Sequence, residues 1–172
     1  MASKSCVLHI RYDHSNEEGK KVEEVRVKQD YNDSGRCDMD RRTFLEEGAR
    51  AIDRNGEPFH FKSHGLLGHH IRGIFLVKVH DSQLGDQCIG IGYSLGWRNS
   101  EYTIALGFYD QDAILNSDDV DSLFESASRE AMGTVREGRD ITISNSDYTV
   151  IATLDYHANG HSNVATVVIK RT

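Results

Sequence analysis

Apolar and polar residues alternate most regularly between Cys88 and Asp110. Ile89, Ile91, Tyr93, Leu95 and Trp97 take every second position of one run, and Tyr102, Ile104, Leu106 and Phe108 take those of the next. A period of two predicts strands. Arg98, Asn99 and Ser100 supply a short polar turn between them, so the two runs read as an antiparallel hairpin. The opposite face carries Gly90, Gly92, Ser94 and Gly96 on one strand and Thr103, Ala105 and Gly107 on the other. Small residues in that register either let another backbone or sheet lie close or leave a shallow surface open to a ligand.

The rest of the chain is read around this hairpin. Residues 6–12, with Val7, Leu8 and Ile10, predict a first strand and Val22 to Val27 a second, joined across His14 to Lys20 as an opening hairpin. The turn-rich segment QDYNDSGRCD follows. Asp40 then caps a helix through Ile52, with Phe44, Leu45, Ala49 and Ile52 on one stripe and Asn55-Gly56 as its stop. Phe59-His60-Phe61 reads as a short strand, and Ile71 to His80 as a buried one. After Asp110 the period changes. Val120, Leu123, Phe124, Ala127 and Ala131 stand at helical spacing behind Asp118, Asp119 and Asp121, which favour a helix N-terminus, and Gly133 ends the segment. Three strands close the chain: Asp140 to Ser144, Tyr148 to Tyr156, and Asn163 to Lys170. The last two make a hairpin over His157 to His161, where Asn159-Gly160 is a turn signal. The sum, roughly eight or nine strands with two short helices between them, is mainly β and predicts an antiparallel β-sandwich over any doubly wound α/β fold.

Length and composition narrow the choice further. The 172 residues fit a single β-sandwich domain with a real core, and one proline among them leaves no proline-rich linker. A formal net charge of −7 argues against nucleic acid as a partner, because phosphate-backbone binding draws on clustered Lys and Arg. The basic pair Arg41-Arg42 does not alter that balance. The opening MASKSCVLHIRY has no long apolar segment, and the expected location is cytoplasmic. Cys6, Cys37 and Cys88 form an odd set without CxxC spacing, which fits reduced thiols.

Chemistry-bearing clusters are few. His60, His64, His69 and His70 are the densest histidine group, but their spacing matches no zinc pattern and the segment holds no cysteine. Solvated loop histidines are the plainer reading. Asp110 and Asp112 invite thoughts of calcium or glycoside hydrolysis, yet no twelve-residue calcium loop is present, and acidic pairs are common in loops. Cys88 lies on the small-residue face and reads as a structural thiol. There is no nucleophile elbow, Walker loop or His-Glu metalloprotease motif, and the glycines around Ile91 are not a dinucleotide fingerprint. The expectation is a non-enzymatic protein with no cofactor and no metal.

Two sets of segments resemble the superfamily that joins sea-anemone-type pore-forming cytolysins (actinoporins) with the fungal fruit-body lectins. CIGIGYSLGWRNSEYTIALGFYD looks like the actinoporin Gly-rich strand, polar turn, apolar strand and Tyr-Asp ending, and YHANGHSNVATVVIK looks like their terminal turn and strand. VLHIRYDHSNEEGKKVEEVR looks like the lectins' opening hairpin, EYTIALGFYD like their apolar strand, and VREGRDITISN like the approach to their last hairpin. The resemblance implies an actinoporin-like β-sandwich with two flanking helices. In the lectins a His-Asn pair after the apolar strand helps bind galactose-type sugars, and Tyr109 and Asp110 occupy those positions here. Ser82 and Gly85 stand about where the lectins place a Ser-Gly pair. The resemblance therefore implies glycans as partners, held by Ser82, Gly85, Tyr109 and Asp110: the carboxylate would accept from hydroxyls and the tyrosine ring would stack on a pyranose face. It also implies a membrane-lipid-binding or pore-forming alternative, and self-association into a homo-oligomer. The actinoporins' amphipathic N-terminal helix and aromatic cluster have no counterpart here, since the N-terminus reads as a strand and Gln111 to Leu115 hold no Trp or Tyr.

Overall fold

The computed structural model describes residues 5–13, 20–29, 59–62, 71–81, 85–95, 102–110, 120–155 and 163–172. Its strands are β1 (Ser5–Asp13), β2 (Lys20–Gln29), β3 (Phe59–Lys62), β4 (Ile71–Asp81), β5 (Gly85–Leu95), β6 (Tyr102–Tyr109), β7 (Ala131–Thr134), β8 (Asp140–Ser144), β9 (Tyr148–Asp155) and β10 (Asn163–Arg171). The one helix among the described residues, α1 (Val120–Glu130), runs directly into β7, and a single 3-10 turn (Val135–Glu137) leads to β8. The fold is mainly β. Two five-stranded sheets are formed, in the orders β3-β1-β10-β9-β8 and β2-β4-β5-β6-β7.

Alternation along the strands puts the core between the sheets. Leu8, Ile10 and Tyr12 of β1, Val150, Ala152 and Leu154 of β9, and Ala165, Val167 and Ile169 of β10 meet Phe75, Val77 and Val79 of β4 and the Ile89-to-Leu95 and Tyr102-to-Leu106 rows of the second sheet in one buried cluster. Each fully buried Leu, Ile or Val contributes roughly 1.5–3 kcal/mol of transfer free energy, so this layer is the main source of stability. Large aromatic residues fit because they are partnered: the Phe75 and Tyr93 rings pack with centroids 5.4 Å apart. The Tyr102 hydroxyl donates to the Val7 carbonyl at 3.1 Å, joining β6 to β1 across the core.

The strands of the central hairpin pair as expected, from Leu95 with Tyr102 to Cys88 with Tyr109, and β9 and β10 are antiparallel neighbours. The opening hairpin is not formed. β1 lies between β3 and β10, parallel to β10, whereas β2 is in the other sheet against β4. Alternation tells which face of a strand is buried and says nothing about its neighbour. Nor does Gly133 end the helix: α1 stops at Glu130, and Gly133 sits inside β7 opposite Ile104. The segment from Asp40 to Ile52, the Arg98-to-Ser100 turn and the turn from His157 to His161 lie outside the described residues.

The small-residue face of the hairpin is covered by α1. Gly90 pairs with Gly107, and Gly92 with Ala105. A Cβ on Gly107 would come 2.9 Å from the Cα of Ala127, and one on Gly92 would come 2.8 Å from the Phe124 ring. Leu123, Phe124 and Ala127 thereby bury against Ile74, Leu76, Cys88, Ala105 and Tyr109 in a second, smaller cluster. Of the two readings of this face, close packing is the one realised. No helix among the described residues is long and apolar enough to cross a membrane.

Candidate functional site

The start of β5 and the end of β6 lie at one end of the second sheet, beyond the Cys88–Tyr109 pair. Gly85 opens β5 with φ +85, a left-handed conformation that glycine adopts without strain, and it is exposed. Asp86 follows with its carboxylate 3.2 Å from the Lys78 ammonium, so that charge is already paired. Asp110 directly follows β6 and is exposed. An exposed carboxylate offers acceptor oxygens to hydroxyl groups.

Tyr109 is placed differently from the expectation. It shares the parity of Ala105 and Gly107, so its ring lies on the helix-covered face, is 8% exposed, and packs over Gly90, where a Cβ would collide with it. Its hydroxyl donates to the Leu123 carbonyl. Burial pushes that hydroxyl up to about 12. A ring held under α1 presents no face to a sugar, and the stacking role expected of it is withdrawn. What Tyr109 offers the site is its backbone. Ser82 lies outside the described residues.

The residue that organises this end is Gln87, which the sequence reading passed over. Its Nε2 donates to the carbonyls of Cys88 at 3.0 Å and Tyr109 at 3.4 Å, spanning the two arms of the hairpin. Its Oε1 accepts from Asn145 Nδ2 at 3.0 Å. Asn145 belongs to the turn between β8 and β9 in the other sheet, where its Oδ1 accepts from the backbone N–H groups of Asp147 and Tyr148 at 2.9 and 2.7 Å. The Thr172 hydroxyl donates to the Asn145 carbonyl at 3.2 Å, and the Thr172 N–H to the Asp147 carbonyl. Hydrogen bonds in series therefore link the peptide group preceding Asp110 to a turn of the opposite sheet. Two signals in the sequence point to this: Gln87 is a polar residue in register with Ile89 and Ile91, and Asn145-Ser146-Asp147 is a turn cluster between two alternating runs.

Other candidates fall as follows. Cys88 is a buried cysteine beneath α1 that takes part in no disulfide. No group of three or more His, Cys, Asp or Glu side chains comes together among the described residues. His60 lies in β3, while His64, His69, His70, His157, His161 and Asp112 are outside the described residues. No protein-family model matches the chain, and no curated protein matches it.

Proposed function

We propose that this chain is a non-enzymatic glycan-binding protein built on the actinoporin-like β-sandwich, with a shallow sugar site at the strand-end loops around Ser82, Gly85 and Asp110. Asp110 accepts hydrogen bonds from adjacent sugar hydroxyls, and backbone groups near Gly85 and Tyr109 complete the contacts. The observation that supports this reading is the exposed Asp110 carboxylate following a peptide group that Gln87 holds in place. Holding an acceptor still before the ligand arrives lowers the ordering cost of binding, which matters most for a shallow site. A homo-oligomer would add avidity to it.

The test is a glycan-array screen of the labelled protein at physiological salt, with Asp110→Ala as the paired control. Selective binding that the substitution abolishes supports the reading. Binding unchanged by the substitution removes Asp110 from the site, and an empty array transfers the question to vesicles carrying neutral lipid headgroups.

A further inference from the structure

Each sheet ends in two edge strands, β3 and β8 in one and β2 and β7 in the other. An edge presents backbone N–H and C=O groups that can pair with another chain, and proteins blunt it with short length, Lys, bulges or covering groups. Three of these edges carry such a device. β3 is four residues long and ends in Lys62. β2 holds Lys20, Lys21, Arg26 and Lys28, and its register slips between Val22 and Glu24. At β7 the edge is capped by its own chain: Arg139 Nη2 donates to the Met132 carbonyl at 3.0 Å, and the Thr134 N–H donates to Glu137 Oε2 at 3.1 Å.

β8 has none of these devices. Its residues, Asp140-Ile141-Thr142-Ile143-Ser144, include no Lys, Pro or Gly, and they pair with β9 without a bulge. Two backbone bonds fix which way its peptide groups point. The Asn145 N–H donates to the Tyr148 carbonyl at 2.9 Å, so the hydrogen-bonded pairs between β8 and β9 recur at every second residue, as Ile143–Val150 and Ile141–Ala152. The Thr172 N–H donates to the Asp147 carbonyl, and the same alternation gives Thr149 and Ile151 to β10 while leaving Tyr148, Val150 and Ala152 for β8. Asp140, Thr142 and Ser144 therefore turn their N–H and C=O groups away from β9. All three residues are exposed, and among the described residues no strand lies beyond them. On the inner face Ile141 and Ile143 each keep 6% exposure, whereas Val150, Ala152 and Val167 deeper in the same sheet keep none.

We propose that β8 pairs antiparallel with β8 of a second copy of this chain, about a two-fold axis at Thr142. The strand is complementary to itself in that register. Thr142 opposes the partner's Thr142, and Asp140 opposes the partner's Ser144, so the strand's one charged residue meets a hydroxyl and not a second carboxylate. These are the residues whose peptide groups face outward, so each pair exchanges both N–H···O bonds. Ile141 meets the partner's Ile143 between them, at the non-hydrogen-bonded positions where side chains approach more closely, and the residual exposure of both is covered. Two five-stranded sheets thereby become one continuous sheet. The same self-complementarity favours a second copy over an unrelated extended peptide, which would use the backbone groups without matching the polar and apolar rows. One short strand buries little area, which places the association in the weak, transient class. It stands independently of any ligand at Asp110.

The experiment is sedimentation velocity on the full chain from about 10 µM to about 1 mM, with amide hydrogen exchange measured at both ends of that range. The mass is expected to rise from monomer toward dimer, and the Thr142 and Ser144 amides to slow about tenfold or more at the high concentration. Thr142→Lys keeps β8 paired with β9 and sets like charges face to face at the two-fold, so it should weaken the dimer about tenfold or more. Thr142→Pro removes an N–H that β9 does not use, and should abolish the dimer while the monomer stays folded. A monomer throughout the range, a dimer whose Thr142 and Ser144 amides exchange as in the monomer, or undiminished association in Thr142→Lys would each overturn the proposal. So would a Thr142 amide already protected in the monomer, which would mean that the edge is covered within one chain.

Discussion

Asn145 Nδ2 and Gln87 Oε1, 3.0 Å apart, join the β8–β9 turn of one sheet to the first strand of the central hairpin in the other. The bond does two things. It satisfies polar groups at the rim of the core, and it sets the side chain that holds the peptide group before Asp110. Gln87→Met keeps the length of the side chain and removes both functions. The expected loss is about 1–3 kcal/mol in denaturant unfolding, because the Asn145 amide and the Tyr109 carbonyl lose a partner at a part-buried position. Faster amide exchange at Asp110 and Asp147 in the folded variant would show that the two turns are coupled through this side chain. Unchanged exchange at both would mean that the link is incidental.

The buried hydroxyl of Tyr109 makes stability fall at high pH. Its folded-state value of about 12 lies above the ordinary 10, so between these values the unfolded chain releases a proton that the folded chain retains. The contribution is complete below pH 10 and is lost as the pH rises toward 12. At about 1.4 kcal/mol per unit, the loss reaches roughly 2–3 kcal/mol. Tyr109→Phe should flatten this alkaline limb while costing about 1 kcal/mol at pH 7 for the lost bond to Leu123. Urea midpoints measured from pH 7 to 12 for both proteins give the answer, and parallel curves would count against it.

The fit of α1 on the hairpin predicts unequal costs for two glycine substitutions. Gly107→Ala sets a methyl group against the helix backbone at Ala127, which moves only with the whole helix. Gly92→Ala meets the Phe124 ring, a side chain that can turn aside. Overpacking of this kind costs about 1–3 kcal/mol, with Gly107→Ala at or above the upper end and Gly92→Ala toward the lower. Combining Gly92→Ala with Phe124→Leu should recover part of the loss, and calorimetric melting of the single and double variants measures it.

Tyr102→Phe isolates a bond that crosses between the sheets. The ring remains in the core and only the hydroxyl that donates to Val7 is lost, leaving a carbonyl without that partner. A loss of about 1–2 kcal/mol is expected in chemical denaturation, with no change in the denaturant slope.

Strands were legible where alternation was long. β5, β6, β8, β9 and β10 follow from it, and α1 (Val120–Glu130) lies where Val120, Leu123, Phe124 and Ala127 stand at helical spacing, while Asp118 lies outside the described residues. β7 was missed because its four residues directly follow the helix and include Gly133, a residue that ordinarily marks a helix end. The face of Tyr109 could have been read from parity, since it falls in step with Ala105 and Gly107 rather than with Leu106 and Phe108. Resemblance to the lectin pair drew it into a sugar-facing role instead. Gln87 was passed over because a lone amide in an apolar register shows no chemistry until its partner from a distant turn is known.

The parallel pairing of β1 with β10 also bears on how the molecule is assembled. Leu8 lies opposite Ala165 and Ile10 opposite Val167 in the middle of the first sheet. That sheet cannot acquire its central ladder until a strand more than 150 residues downstream is in hand. Closing so long a loop costs chain entropy before the contact gives anything back, so folding belongs to the slow, non-local regime of milliseconds to seconds. During synthesis the edge of β1 that pairs with β10 stays open until that strand emerges, and the second sheet, whose β4, β5 and β6 are neighbours in sequence, is the half that has the means to form first.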